Sequence, residues 1–216
     1  MTDPLRRLNA VRAPGAPLPL GTRIVCTLLV LLLGAGMGAV AKALDCTPSN
    51  ALPFLLQRLD LRNVFSRAGI WALIGLGLSV YAPSPRRAAF NVFAFFAGMT
   101  AAYYLYSALI AGFFPARYAM IWFGLTLLSP IPAVLCWYAA GRGRIALALS
   151  TLIVAALFDM TFSFGWFYVD AVSPVEAAVF IAALVVLRRR PAEMLIMTLS
   201  GCALAFVIAP LLPFRL

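Results

Sequence analysis

The chain has no histidine among its 216 residues and only seven acidic ones. Without histidine there is no His-based triad, no HExxH zinc site and no histidine ligand for a haem. Cysteine is sparse too: Cys26, Cys46, Cys136 and Cys202 stand apart with no CxxC pair, so neither a disulfide framework nor a metal site is expected. Three of them sit in apolar runs, where cysteine behaves as a small hydrophobe. No cofactor is expected. No internal repeat is evident, which weakens any inverted-repeat transporter argument.

What is abundant is apolar. Hydrophobic residues make up 64% of the chain and charged ones 11%, with a mean hydropathy of +0.99; soluble domains hold about 45–50% apolar and about 25% charged residues. This balance excludes a soluble enzyme, a disordered chain and a nucleic-acid binder, although the formal net charge is +10 and the isoelectric point about 10.2.

A hydrocarbon core about 30 Å thick needs roughly 20 apolar residues of helix. Seven runs bounded by Arg, Pro and Gly fit that measure: 22–44, 65–82, 88–112, 118–140, 145–168, 174–187 and 191–212, the sixth being short. Arg23 ahead of the first run and Ala41-Lys42-Ala43 within it have the look of a signal peptide. The run's length and the six that follow favour a retained first span. The expected fold is therefore an all-α polytopic transmembrane bundle of about seven spans. Residues 1–21, rich in Pro and Arg, read as a mobile cytosolic tail, and 22–216 as one transmembrane helical domain.

Basic residues set the orientation, because cytoplasmic loops retain them. With the N-terminus inside, the inner segments hold Arg6, Arg7, Arg12, Arg23, Arg86, Arg87, Arg142, Arg144, Arg188, Arg189 and Arg190, 11 of the 17 basic residues. The charge thus reads as a topology signal and an attraction to anionic lipid on the cytoplasmic side, with no nucleic acid required. On the outer side, Leu52, Leu55, Leu56 and Leu59 repeat at helical spacing among Gln57, Arg58 and Asp60. That pattern reads as an amphipathic helix, either resting at the interface or covering an outward cavity.

A few residues stand out chemically. Asp159 lies about 14 residues into the fifth run, where an ionised carboxylate is costly unless paired, solvated or protonated. It reads as a ligand or proton site, or as half of a structural ion pair. Ser163 and Trp166 follow at i+4 and i+7 on the same helical stripe. Lys42 is a candidate partner: helical rise places it about 27 Å and Asp159 about 21 Å from the inner edge of their spans. Lys42 can alternatively snorkel and pair with Asp45. Ser173-Pro174-Val175-Glu176 has the form of a capping box, so Glu176 reads as a helix cap. Tyr81, Trp137 and Tyr138 fall at inner ends and Tyr118, Trp122, Trp166 and Tyr168 at outer ends, as interfacial belts. Tyr103, Tyr104 and Tyr106 lie deeper, with Tyr103 and Tyr106 on one face, and hydroxyls at that depth need partners. Gly34 and Gly38 form a GxxxG with Ala35, Ala39 and Ala43 beside it, a smooth face for another helix. Ser129-Pro130-Ile131-Pro132 should kink the fourth span.

The ordered set Ser84-Pro85-Arg86-Arg87-Ala88, Ala102-Tyr103-Tyr104-Leu105, Trp122 ahead of a proline-containing span, GRGR at 141–144, an acid in span five and Pro174-Val175-Glu176 resembles a family of small bacterial multi-span membrane proteins known only as a domain of unknown function. The resemblance covers roughly residues 23–212. Members commonly carry Gly where Ala102 stands and Glu where Asp159 stands. The resemblance implies a helical inner-membrane protein and supplies no activity. Ala35, Ala39 and Ala43 on the first span are also similar to the small-residue spacing of substrate-binding subunits of energy-coupling-factor vitamin transporters, which usually have six spans.

These readings converge on a non-enzymatic small-solute binding or transport-related protein of the bacterial inner membrane. Its outward pocket is expected near Asp159, Lys42, Tyr103, Tyr106, Ser163 and Trp166. The alternative is a structural or assembly protein that packs against a membrane protein partner through Gly34 and Gly38. An intramembrane enzyme would need a nucleophile with its base, or paired aspartates, and neither is evident.

Overall fold

The computed structural model describes residues 4–165 and 167–209. Helices run in the order α1 (Pro4–Val11), α2 (Leu20–Cys46), α3 (Phe54–Arg58), α4 (Leu61–Ser66), α5 (Ala68–Val80), α6 (Pro85–Leu109), α7 (Ala116–Leu128), α8 (Pro130–Ala139) and α9 (Gly143–Thr161). A hairpin of β1 (Phe162–Gly165) and β2 (Tyr168–Ala171) then leads to α10 (Pro174–Val186) and α11 (Pro191–Ile208). Several helices start on the expected chemistry. Ser84 caps α6 by accepting the Arg87 N–H at 3.3 Å, and Ser173 caps α10 by accepting the Glu176 N–H at 3.2 Å, each with proline at the helix start.

Among the described residues four helices, α2, α6, α9 and α11, are long and apolar enough to cross a membrane. The pair α7 and α8, bent by 44°, makes a fifth if taken as one span. The break falls where Pro130 and Pro132 withdraw two backbone donors, and Ser129 Oγ turns back to donate to the Thr126 carbonyl at 2.8 Å. The second apolar run comes out shorter than its expected 65–82, and the sixth is as short as the sequence suggests. Helices α5 and α10 hold 13 residues each, or about 20 Å of rise. They pack together inside the bundle with their N-termini adjoining, because Gly69 has no side chain to collide with Glu176.

The fifth apolar run does not continue as helix to 168. Helix α9 ends at Thr161, and the chain reverses through an antiparallel ladder pairing Phe162 with Ala171, Ser163 with Asp170, Phe164 with Val169 and Gly165 with Tyr168. Aromatic and β-branched residues suit a strand as well as an apolar helix. Here a glycine lets the Tyr168 ring lie across the facing strand. Phe164 turns inward and packs at 5.0 Å from Phe158 and 4.5 Å from Phe206, closing the core formed by α5, α8, α9, α10 and α11.

The single amphipathic helix expected after the first span is two short ones, α3 and α4. Asp60 takes φ 50° between them, a left-handed conformation that Asp tolerates better than most residues, and its carboxylate accepts from Asn63 Nδ2 at 2.8 Å. Phe54 and Leu55 remain largely exposed.

One end of the bundle is held by arginines. Arg12 donates to the Trp137 and Val80 carbonyls, both at 2.8 Å, and lies 4.4 Å from the Trp137 ring centroid. One guanidinium thus satisfies carbonyls left open at the C-termini of α5 and α8. Burial pushes its pKa below the ordinary arginine value, but a guanidinium remains charged. Arg189 donates to the Ala139 carbonyl. Arg87 donates to the Arg23 carbonyl at 3.1 Å and the Thr27 hydroxyl at 3.0 Å. The segment expected to be a mobile tail is docked here: α1 ends against the 141–142 turn, where the Arg142 N–H donates to the Val11 carbonyl at 2.9 Å, and the Gly15 N–H reaches the Pro83 carbonyl at 2.8 Å.

Candidate functional site

The opposite end of the bundle carries a pocket, and the contact between α2 and α6 positions it. Gly34 lies against the Phe95 carbonyl and Gly38 against the Met99 carbonyl so closely that a Cβ at either place would overlap backbone. Gly98 makes the reciprocal approach to the Leu31 carbonyl. Both helices advance by four residues per contact, so the next step pairs residue 42 with residue 103. The Lys42 ammonium indeed lies 4.9 Å from the Tyr103 ring centroid, and 4.6 Å from that of Phe113. The GxxxG face therefore serves packing within the chain, and α6 covers it.

One turn beyond Lys42, Asp45 reaches the pocket. Its carboxylate accepts from the Tyr103 hydroxyl and, at 3.0 Å, from Ser66 Oγ. The cavity measures about 270 Å³ and is lined by Ala41 and Asp45 from α2, Phe65 and Ser66 from α4, Trp71 from α5, Met99, Thr100, Tyr103 and Tyr104 from α6, and Tyr118 and Trp122 from α7. Its walls are braced. Trp71 Nε1 donates to the Phe65 carbonyl at 3.0 Å, and the Thr100 and Thr126 hydroxyls meet at 3.0 Å. Tyr104 is wedged edge-on against Tyr103 at 5.1 Å and Phe114 at 5.9 Å. Only 3% of Tyr104 is exposed, and its hydroxyl has no hydrogen-bond partner among the described residues.

The expected site residues separate. Lys42 and Tyr103 come together, with Lys42 just behind the Tyr103 wall and buried to 6% exposure. Tyr106 is half-buried and outside the pocket lining. Asp159 is half-buried in α9, away from the pocket, and its buried Oδ1 has no hydrogen-bond partner among the described residues. The Asp159 to Lys42 pair is not formed, since Lys42 makes no ion pair among the described residues. The register set by Gly34 and Gly38 delivers Lys42 to the face of α6, not to α9. Ser163 lies on β1 opposite Asp170, so it does not continue a helical stripe from Asp159. Trp166 lies outside the described residues.

Glu176 departs from the capping-box reading in one respect. Its N–H is capped by Ser173, but its carboxylate is fully buried and turned toward Arg67 Nη1 at 3.9 Å. Neither carboxylate oxygen has a hydrogen-bond partner among the described residues. Packing of α5 beside α10 brings Arg67 into reach.

Asp45, Ser66, Trp71 and Tyr104 are among the pocket residues that the sequence pattern does not single out as a site, and Tyr118 and Trp122 read there only as interfacial anchors. The signal that points to Asp45 and Tyr104 is the shared four-residue step of α2 and α6, which carries the end of α2 to the level of two adjacent tyrosines.

Fold and site together define a multi-pass helical membrane protein with an aromatic pocket at one end and a ring of structural arginines at the other. No family model matches the chain, and no curated protein or solved structure is significantly similar to it.

Proposed function

We propose that this chain is a non-enzymatic, small-solute binding or transport-related protein of the bacterial inner membrane, with seven spans and a cytoplasmic N-terminus. The arginine-bearing end faces the cytoplasm under the positive-inside rule. Arg86, Arg142, Arg144, Arg188 and Arg190 are exposed there and meet anionic headgroups. A single residue, Arg67, separates α4 from α5, and the hairpin precedes α10, so in this reading the segment before each short helix lies on the outer side. The pocket then opens outward.

The observation that carries this reading is the 270 Å³ cavity with one carboxylate set in an aromatic wall. Small-molecule sites combine mostly apolar linings with a few convergent polar groups, and this cavity has both.

The reading is tested by fractionating a soluble metabolite extract of the host and following thermal unfolding of the purified protein by tryptophan fluorescence. A fraction that raises the melting temperature of the wild type but not of Asp45→Asn supports it. Fractions that leave the wild type unmoved, or shift both proteins equally, contradict it.

A further inference from the structure

We propose that the pocket takes a small monocation, a protonated amine carried on an apolar or aromatic body; this rests on the solute-binding reading above. Two features of the lining choose the class. Among the described residues Asp45 is the only charged one in the wall, and its partners are two neutral hydroxyls, Tyr103 and Ser66. A carboxylate held this way retains lone pairs for a further donor. It repels an anion.

Around it stand the rings of Trp71, Tyr104, Tyr118 and Trp122. Aromatic faces are negative and attract cations, and this end of the bundle already uses that attraction, since Lys42 rests against Tyr103 and Phe113. Lys42 lies outside the lining, so it offers no counter-ion to an anionic ligand. Its charge behind the wall weighs against a dication and leaves the single positive charge as the preferred one.

The volume, below the roughly 300–1,000 Å³ of drug-sized sites, limits the body to about one ring.

The test titrates the protein in lipid nanodiscs with benzylammonium, benzyl alcohol and benzoate, three probes of one shape and different charge. Trp71 and Trp122 line the cavity and report by fluorescence. Benzylammonium should give a saturable response that weakens at least about tenfold in Asp45→Asn, the loss expected for a hydrogen bond to a charged group. The ranking of the three probes on the wild type carries the test if Asp45→Asn fails to fold: benzylammonium should bind several-fold more tightly than benzyl alcohol or benzoate. Benzyl alcohol or benzoate binding as tightly as benzylammonium would overturn the cation assignment and leave a solute pocket standing. No saturable response to any of the three would overturn both.

Discussion

Gly36 and Gly38 sit two residues apart on the same helix, and alanine should act on them with opposite signs. At Gly38 a new Cβ would collide with the Met99 carbonyl and backbone, whereas at exposed Gly36 it meets nothing within 4 Å. Backbone cannot turn aside as a long side chain can, so Gly38→Ala must push α2 from α6. Overpacking of this kind costs about 1–3 kcal/mol. The displacement is largest for the residues beyond it, so Asp45 should lose the Tyr103 hydroxyl and the pocket its floor. Gly36→Ala should be neutral or stabilising by up to about 1 kcal/mol, the helix-propensity difference between the residues. For a chain of this size each kcal/mol corresponds to about 2–4 °C in melting temperature. Thermal unfolding in one detergent, read by tryptophan fluorescence, should therefore show Gly38→Ala melting several degrees below the wild type and Gly36→Ala at or above it. Equal shifts of the two variants would refute the close contact between α2 and α6 and the register derived from it.

Removing Arg12 by Arg12→Ala should cost about 1.5–3 kcal/mol, since it strips charged hydrogen bonds from two carbonyls at helix ends, and a melting temperature unchanged from wild type would refute the docking of the N-terminal segment. Arg67→Ala should destabilise by about 1–3 kcal/mol because it leaves the fully buried Glu176 carboxylate without its cation, and adding Glu176→Gln should recover much of the loss; additive effects of the two changes would contradict their pairing. Cys46 is exposed at the pocket end, so a membrane-impermeant maleimide added to intact spheroplasts should label it; labelling only after lysis would reverse the proposed orientation.

The helical elements were readable because their stops are chemical. Pro85, Pro174 and Pro191 open helices where the apolar runs begin, and the proline pair after Ser129 marks the break. Length was less readable, since an apolar run shows burial and not conformation. Residues 162–165 continue the composition of α9, yet they pair as β1 with β2, and Phe164 packs on Phe206. The capping of α10 by Ser173 is local and was visible; the destination of the Glu176 side chain depends on α5 and was not. The same limit applied to the site. Asp159 stands out in sequence by its depth, but the pocket formed elsewhere, around an acid at the end of α2 whose significance depends on Tyr103 lying opposite. Lys42 and Tyr103 could be paired only once Gly34 and Gly38 had fixed which face of α6 they meet.

The central claim is that the cavity at Asp45 holds a small solute, and the most direct measurement is native mass spectrometry of the protein gently extracted from its own host membrane. A stoichiometric small molecule bound to the wild type and absent from Asp45→Asn is the predicted result. Wild-type protein that carries lipid alone, or a small molecule retained equally by Asp45→Asn, would contradict it.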